Sequence, residues 1–306
     1  MPLRVIDADE VRARLGFDVA IPLVREAMVA LSSGGTRQLL RSILDLEGGN
    51  AFGVMPGALG EAPFGAKLVS VFPGNVARGG MSHQGVIVLF DLDGAPYAVV
   101  DAGEVTAIRT AAASAAATDA LARADASELA VLGTGEQALR HVDAIRQVRP
   151  IGSVRIWGRN PRRAAALAER VGGETAASVD AATEGADIIC TVTAAPEPVL
   201  HAGQVKSGAH INAVGSSRAG PAEIANELVV RVRFFADHRE GVLAQGAEFL
   251  RAKAAGLVTD AHIVGEIGQV FAGTIVGRGS PDEVTLYKSL GSIVQDLACA
   301  QWLAEG

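Results

Sequence analysis

The hydrophobic pattern divides the chain into two stretches of different character. Apolar residues recur at helical spacing over residues 18–31, and residues 65–72 read as a strand. Two further strands, 85–90 and 97–100, flank Asp93-Gly94, a turn pair that marks a hairpin. Residues 105–123 are rich in alanine and other small residues; alanine favours helix, and small side chains allow close packing. From Glu128 the pattern changes to short apolar runs alternating with amphipathic stretches. Strands are predicted at 129–132, 154–157, 187–192, 210–214 and 232–236, with helices at 137–146 and 162–171. Such alternation builds a parallel sheet wound on both faces. Residues 282–303 read as one amphipathic helix with no strand partner left in this second stretch, so it is expected to cross back to the first. The fold class is therefore α/β: a Rossmann-type doubly wound nucleotide domain over 121–280, beside an α+β domain formed by 1–120 with 281–306.

One segment carries chemistry on its own. The apolar run 129–132 leads into Gly133-Thr134-Gly135 and then Glu136-Gln137, the start of an amphipathic stretch. In a dinucleotide site the first glycine allows the tight turn and the second lets backbone approach a pyrophosphate, which sits over the helix N-terminus. The alternative is a tight strand–helix turn with no ligand. The motif lies far into the chain, so the preceding module is expected to hold whatever the cofactor reacts with. Thr191-Val192-Thr193 and Val214-Gly215 end two later strands, at the carboxyl edge where such cofactors lie. The second strand ends Ile156-Trp157-Gly158-Arg159-Asn160, followed by Arg162 and Arg163. No acid is present to accept the ribose hydroxyls of NAD, and arginine accommodates the extra phosphate of NADP. NADP(H) is the expected cofactor and NAD(H) the alternative; the other reading is that these arginines simply open a surface helix.

Composition narrows the class. Aromatic residues make up 4% of the chain against 49% hydrophobic, so the core is aliphatic and rich in alanine. A net charge of −7 without a basic block argues against nucleic acid as partner. Met1-Pro2-Leu3-Arg4 runs directly into a charged, foldable segment, so no leader is expected, and no apolar run reaches the ~18 residues of a membrane span. Cys190 and Cys299 read as buried thiols rather than a disulfide, and without HExxH or CxxC no metal is expected. These features point to a soluble cytoplasmic protein.

Arg41, Lys67 and Arg109 lie in three separate segments, each beside largely apolar sequence where an unpaired charge is costly. They are either independent salt-bridged or surface cations, or a clamp for a carboxylate, which the planar fork of arginine suits. His83 either meets the substrate or is a satisfied histidine at a strand start. His141, His201, His238 and His262 read as solvated or structural. Asp296 and Glu266 are candidates for pairing with a cation, and spacing identifies no partner for either.

Seven motifs occur in order: Met55-Pro56-Gly57, Lys67 with Pro73-Gly74-Asn75, Ser82-His83-Gln84, Thr106-Ala107-Ile108-Arg109-Thr110, the segment 133–137, His210-Ile211-Asn212-Ala213-Val214-Gly215, and Lys288-Ser289-Leu290-Gly291. As a set they resemble the ornithine cyclodeaminase/μ-crystallin family over nearly the whole chain. The resemblance implies a Rossmann domain joined to a substrate-binding and dimerisation domain, a C-terminal helix packed on the latter, and a homodimer. It also implies NAD(P)-dependent chemistry on amino acids and their imines. Carried over by motif, Arg41, Lys67 and Arg109 bind the substrate carboxylate in front of the nicotinamide, Lys67 lies next to the reacting carbon, and Thr110 and Gly291 join the cofactor site. Two departures separate this chain from cyclodeaminases: Ser217 stands where they carry Asp, and Gly53 where they carry Glu. Both losses remove groups that would bind and activate a second amine. Gly215-Ser216-Ser217-Arg218 and Ser82-His83-Gln84 are closer to the ketimine reductase branch. The expected activity is NAD(P)H-dependent reduction of an α-imino acid to an L-amino acid, with Lys67, Arg109 and His83 as catalytic residues. The imine is either cyclic, such as pyrroline-2-carboxylate, or open-chain, such as iminosuccinate. The alternatives are a cyclodeaminase-type lyase with bound NAD, and a non-enzymic NADPH-dependent binding protein.

Overall fold

The structure, a computed structural model, describes residues 3–60, 64–80 and 82–306. Met1 and Pro2, the start of the segment inferred to be leaderless, lie outside the described residues. The chain opens with β1 (Arg4–Ile6), α1 (Ala8–Arg14), α2 (Phe17–Ser32), β2 (Thr36–Gln38), β3 (Ser42–Asp45), β4 (Ala51–Leu59), β5 (Phe64–Val71), β6 (His83–Phe90), β7 (Pro96–Asp101) and α3 (Ala102–Leu121). It continues with β8 (Glu128–Leu132), α4 (Glu136–Ile145), β9 (Ser153–Trp157), α5 (Pro161–Val171), β10 (Glu174–Thr175), α6 (Val179–Thr183), β11 (Ile188–Thr191) and β12 (His210–Ala213). Then come α7 (Asn226–Arg231), β13 (Arg233–Ala236), α8 (Arg239–Gln245), α9 (Ala247–Ala254), β14 (Ile263–Glu266), α10 (Ile267–Phe271), β15 (Thr285–Lys288) and α11 (Ile293–Glu305). Two compact units result: Met1–Arg109 with Ser292–Gly306, and Thr110–Gly291. Helix α3 runs through the first boundary. Among the described residues no helix is long and apolar enough to cross a membrane.

The first unit is built on a mostly antiparallel sheet in the order β1-β7-β6-β5-β4-β2, with β3 also on β4 and β1 parallel to β7. Its strands alternate: Ile87 and Leu89 of β6 and Ala98 and Val100 of β7 are buried, and their neighbours in sequence are less so. The β6–β7 hairpin closes where the Asp91 carboxylate accepts the N–H groups of Asp93 and Ala95 and Gly94 takes φ +82°. Helix α2 buries Ala20, Val24, Ala27 and Met28, one stripe at helical spacing, and α11 lies against α2 and strands β4–β6. Gly57 of β4 makes that approach possible, since a Cβ there would stand 2.7 Å from Ile293 Cγ2.

The second unit holds an eight-stranded parallel sheet in the order β10-β9-β8-β11-β12-β15-β13-β14. Strands covered on both faces are largely apolar, and Leu129–Leu132 and all of β11 and β12 are buried; the polar His210 and Asn212 of β12 are hydrogen-bonded to Thr285 and Thr118. Helix α5 shows why local sequence suffices for its ends: Asn160 caps it, Pro161 opens it, and Gly172 closes it at φ +64°.

The span 282–303 is not a single helix. Thr285–Lys288 form β15, wholly buried between β12 and β13, so the sheet does find a further strand there. A four-residue run is too short for its period to be read, and its β-branched and aromatic residues suit a strand. The chain then breaks at Gly291, φ +83°, and Ser292 caps α11 by accepting the Val294 N–H. The helical remainder does belong to the first unit.

Candidate functional site

In the first unit, Lys67 lies in the middle of β5, paired with Met55 of β4 and Ile87 of β6. Arg109 lies within α3, which begins at Ala102, earlier than the pattern suggested. Both side chains are almost fully buried and meet at Asp296 of α11. Lys67 Nζ donates to Asp296 Oδ1 at 3.0 Å and Oδ2 at 2.9 Å, and to Thr106 Oγ1 at 3.3 Å. Arg109 donates Nε to Asp296 Oδ1 at 3.0 Å and Nη1 to Gln295 Oε1 at 3.0 Å. Lys67 and Arg109 are therefore members of one buried cluster and not independent surface charges.

Arg41 lies in the segment between β2 and β3, half-buried. Its charge acts on both Lys67 and His83, which places the three as electrostatic neighbours. Burial pushes the Lys67 ammonium down to about 8; Arg109 and Arg41 push the same way and Asp296 opposes them. Burial alone would raise the Asp296 carboxyl, but Arg109 and then Lys67 hold it below the usual carboxylate range. His83 opens β6 and is exposed, with Nδ1 2.9 Å from Ser82 Oγ. Partial enclosure of the ring lowers its pKa first, and the charges of Lys67 and Arg41 lower it further.

In the second unit, β8 lies between β9 and β11, so the chain leaves it in one direction and returns on the other side. Ligands bind at such a switch point, outside the carboxyl ends of the strands. Gly133 follows β8 at φ +139°, and a Cβ there would stand 2.6 Å from the Val192 carbonyl oxygen that follows β11. Gly135 is the N-cap of α4 and supplies no side-chain cap, while Glu136 and Gln137 are the first helical residues. A turn only glycine can make and a helix start with backbone N–H groups unbonded by a cap fit a pyrophosphate. Arg159 and Arg163 are exposed at the start of α5, where Asn160 Oδ1 accepts the N–H groups of Arg162 and Arg163.

The neighbouring strand ends are tied by a buried acid. Thr191 Oγ1 donates to Glu223 at 2.8 Å, and the N–H groups of Thr193 and Gly215 donate to the same carboxylate. Burial raises the Glu223 carboxyl against the pull of Lys288 and these donors. Glu223 N–H in turn donates to Glu248, which pairs with Lys288 at 2.8 Å, and Lys288 Nζ donates to the Ser216 carbonyl at 2.6 Å. This network ties together the loop after β11, which carries Val192, and the loop after β12, which carries Val214 (buried), Gly215 (exposed) and Ser217 (half-buried). Gly291 and Leu290 donate their N–H groups to Asp237. Thr110 is buried in α3. His141 is structural: Nδ1 lies 2.7 Å from the Gln137 carbonyl and Nε2 2.9 Å from Ser114 Oγ, and burial pushes its pKa down to about 4.

Sequence reasoning left Asp296 without a partner and did not single out Gln295 or Glu223. The signal for the first two was present: Gln295-Asp296 interrupts the apolar face of the terminal helix with two adjacent polar residues, both 0% exposed. Glu266, the other carboxylate without an identified partner, accepts the Arg239 N–H and forms a capping box at α10. Cys190 and Cys299 are buried and free.

The profile of the ornithine cyclodeaminase/mu-crystallin family matches residues 4–306. The ketimine reductase mu-crystallin of Rattus norvegicus is 35% identical over 305 residues, 97% of this chain and 95% of the rat protein. The Thermococcus litoralis Delta(1)-pyrroline-2-carboxylate reductase, solved with NADH and L-proline, superposes with a TM-score of 0.95 at 30% identity, covering 99% of this chain and 97% of that one. The iminosuccinate reductase of Paracoccus denitrificans, solved with NAD+, superposes with a TM-score of 0.91 at 29% identity, covering 99% and 95%.

Proposed function

This chain belongs to the ornithine cyclodeaminase/mu-crystallin family, and from that membership and the two part-sites we propose that it is an NAD(P)H-dependent reductase of α-imino acids yielding L-amino acids. The observation that carries this is the cationic cluster of the first unit. Among the described residues, Lys67 and Arg109 bring two positive charges to the one anion they share, Asp296, and the charge of Arg41 acts on the same lysine. That excess of positive charge, held by buried donors, suits the carboxylate of an imino acid. Ser217 and Gly53 provide no carboxylate for a second amine, which favours reduction over cyclodeamination.

NAD(P)H, when bound, supplies the hydride. The protein's share is placement and charge. Arg109 and Lys67 hold the substrate carboxylate, with Arg41 completing the charge, so that the C=N carbon is presented in one orientation. Orientation of this kind is worth roughly 7–11 kcal/mol relative to a bimolecular encounter. His83, its pKa lowered, is neutral at pH 7 and serves as a hydrogen-bonding group rather than as a store of positive charge. The new C–H bond and one proton on nitrogen complete the amine.

NADP(H) is the cofactor we favour, supported by exposed Arg159 and Arg163 and by the lack of an acid at the end of β9. A homodimer belongs to the same proposal. Strand β3 is exposed along its length, and Leu39, Ile43, Leu44 and Leu46 form an apolar stretch suited to a second copy; a monomer mass by light scattering would remove that part. Cytoplasmic residence accords with two free thiols.

The deciding experiment follows oxidation of NADPH and NADH with Δ1-pyrroline-2-carboxylate, and with oxaloacetate plus ammonia. Oxidation with either substrate supports the reductase, and the faster one assigns ring or open chain. Binding of cofactor with no oxidation, together with ammonia release from ornithine, would replace the reductase by a lyase; binding with neither would leave a binding protein.

A further inference from the structure

Asp296 stands apart from the other site residues because it brings negative charge to a place where the substrate is itself an anion. We propose, resting on the reductase reading, that Asp296 is a positioning residue: its carboxylate keeps Lys67 an ammonium ion and fixes the spacing of Lys67 and Arg109, so that both present N–H groups to one substrate carboxylate.

The geometry is that of a bridge. Both carboxylate oxygens accept from Lys67, and Oδ1 also accepts Arg109 Nε. The three residues come from β5, α3 and α11, so one carboxylate ties three separate elements together. Stability does not explain the arrangement. A buried ion cluster is commonly no better than well-packed apolar side chains, because desolvation offsets the attraction. The bridge also leaves capacity unused: Arg109 commits Nε and Nη1, and its Nη2 makes no hydrogen bond among the described residues.

The charges around Lys67 fix the sign of the effect. Arg109 faces it from α3, Arg41 from the segment before β3, His83 from β6 and Asp296 from α11. Asp296 is the one negative group of the four. Removing its charge leaves burial and two guanidinium groups, all of which favour the neutral amine. Lys67 already titrates near pH 8 with the carboxylate in place. Without it, the balance at neutral pH shifts toward the neutral amine.

Lysine occurs at four positions, 67, 206, 253 and 288, so lysine labelled at Cε gives a simple carbon NMR spectrum that can be titrated on cofactor-free protein. In Asp296→Asn the Lys67 midpoint is expected to fall by at least about one pH unit, and Asp296→Glu to recover most of that shift. The alkaline limb of kcat for imine reduction should move with it. A Lys67 midpoint unchanged in folded Asp296→Asn overturns the proposal. Should that variant not fold, wild-type protein labelled at the aspartate Cγ decides: the Asp296 signal must inflect at the Lys67 midpoint, and an Asp296 signal flat through that pH overturns the proposal equally. The titration needs no turnover, so a chain that reduces no imine would sink the reductase reading separately.

Discussion

Lys67 and Asp296 are 229 positions apart in the chain, and the Lys67 Nζ and Asp296 Oδ2 atoms lie 2.9 Å apart in the fold. Arg109 joins the same carboxylate, and the second unit occupies the chain between Arg109 and α11. The two cations proposed to bind the substrate carboxylate thus share a partner that no local motif contains.

Arg109→Met keeps an unbranched apolar stem and removes the charge and the donors. A hydrogen bond to a charged group contributes about 1.5–3 kcal/mol, so loss of the substrate contact should lower kcat/KM by about a hundredfold, with KM rising. Asp296 also loses a partner, so the melting temperature should fall. Steady-state kinetics beside thermal denaturation check this, and near wild-type kinetics would end the idea of a carboxylate clamp.

The two glycines of the nucleotide turn should respond differently. Alanine at Gly133 meets the Val192 carbonyl and a φ of +139°, so Gly133→Ala should destabilise the protein even without cofactor. Nothing lies within 4 Å of a Cβ at Gly135. Gly135→Ala should therefore keep the melting temperature of the cofactor-free protein while weakening NAD(P)H binding by about tenfold or more. Calorimetric melting and a fluorescence titration with reduced cofactor separate the two effects.

Arg159→Asp should reverse the preference at the ribose. An acid accepts the ribose hydroxyls and repels a phosphate, so NADPH affinity should fall by about tenfold or more while NADH affinity holds or rises. Equal loss of both cofactors would show that Arg159 does not meet the phosphate.

Asp187 supplies a pH test of the second unit. Burial works against its charge, but Lys206 and the N–H groups of Ser127 and Glu128 outweigh it and hold the carboxyl at about 2, below its ordinary 3.8. A depressed carboxylate stabilises the fold above its ordinary pKa, and that contribution is lost as pH falls through the folded value. Asp187→Asn should cost about 1–2 kcal/mol at neutral pH after allowance for solvent screening. It should also flatten the loss of stability between pH 3.8 and 2. Denaturant melts across that range measure both.

Legibility in the sequence followed the range of the interaction. Gly133 and Gly135 act within a few residues of themselves, and the turn they make could be read directly. The β6–β7 hairpin was legible for the same reason, through Asp93-Gly94. Strand β15 was hidden because Thr285–Lys288 is four residues long and adjoins a helical pattern; only its pairing with β12 and β13 makes it a strand. Asp296 was hidden because a carboxylate on a helix says nothing of a lysine in a distant strand. Glu223 was hidden because its partners are backbone N–H groups, which every sequence has.

The placement of α11 in the first unit sets an order on synthesis. Lys67 and Arg109 leave the ribosome early, and their counter-charge emerges only after the whole of Thr110–Gly291 has been made. Domains commonly fold in the order in which they are translated. Here the later unit can close its sheet first, while the earlier one waits with two cations it cannot bury. A nascent chain halted before residue 296 would hold its second unit folded and its first unit open, a state that protease digestion of stalled chains would reveal.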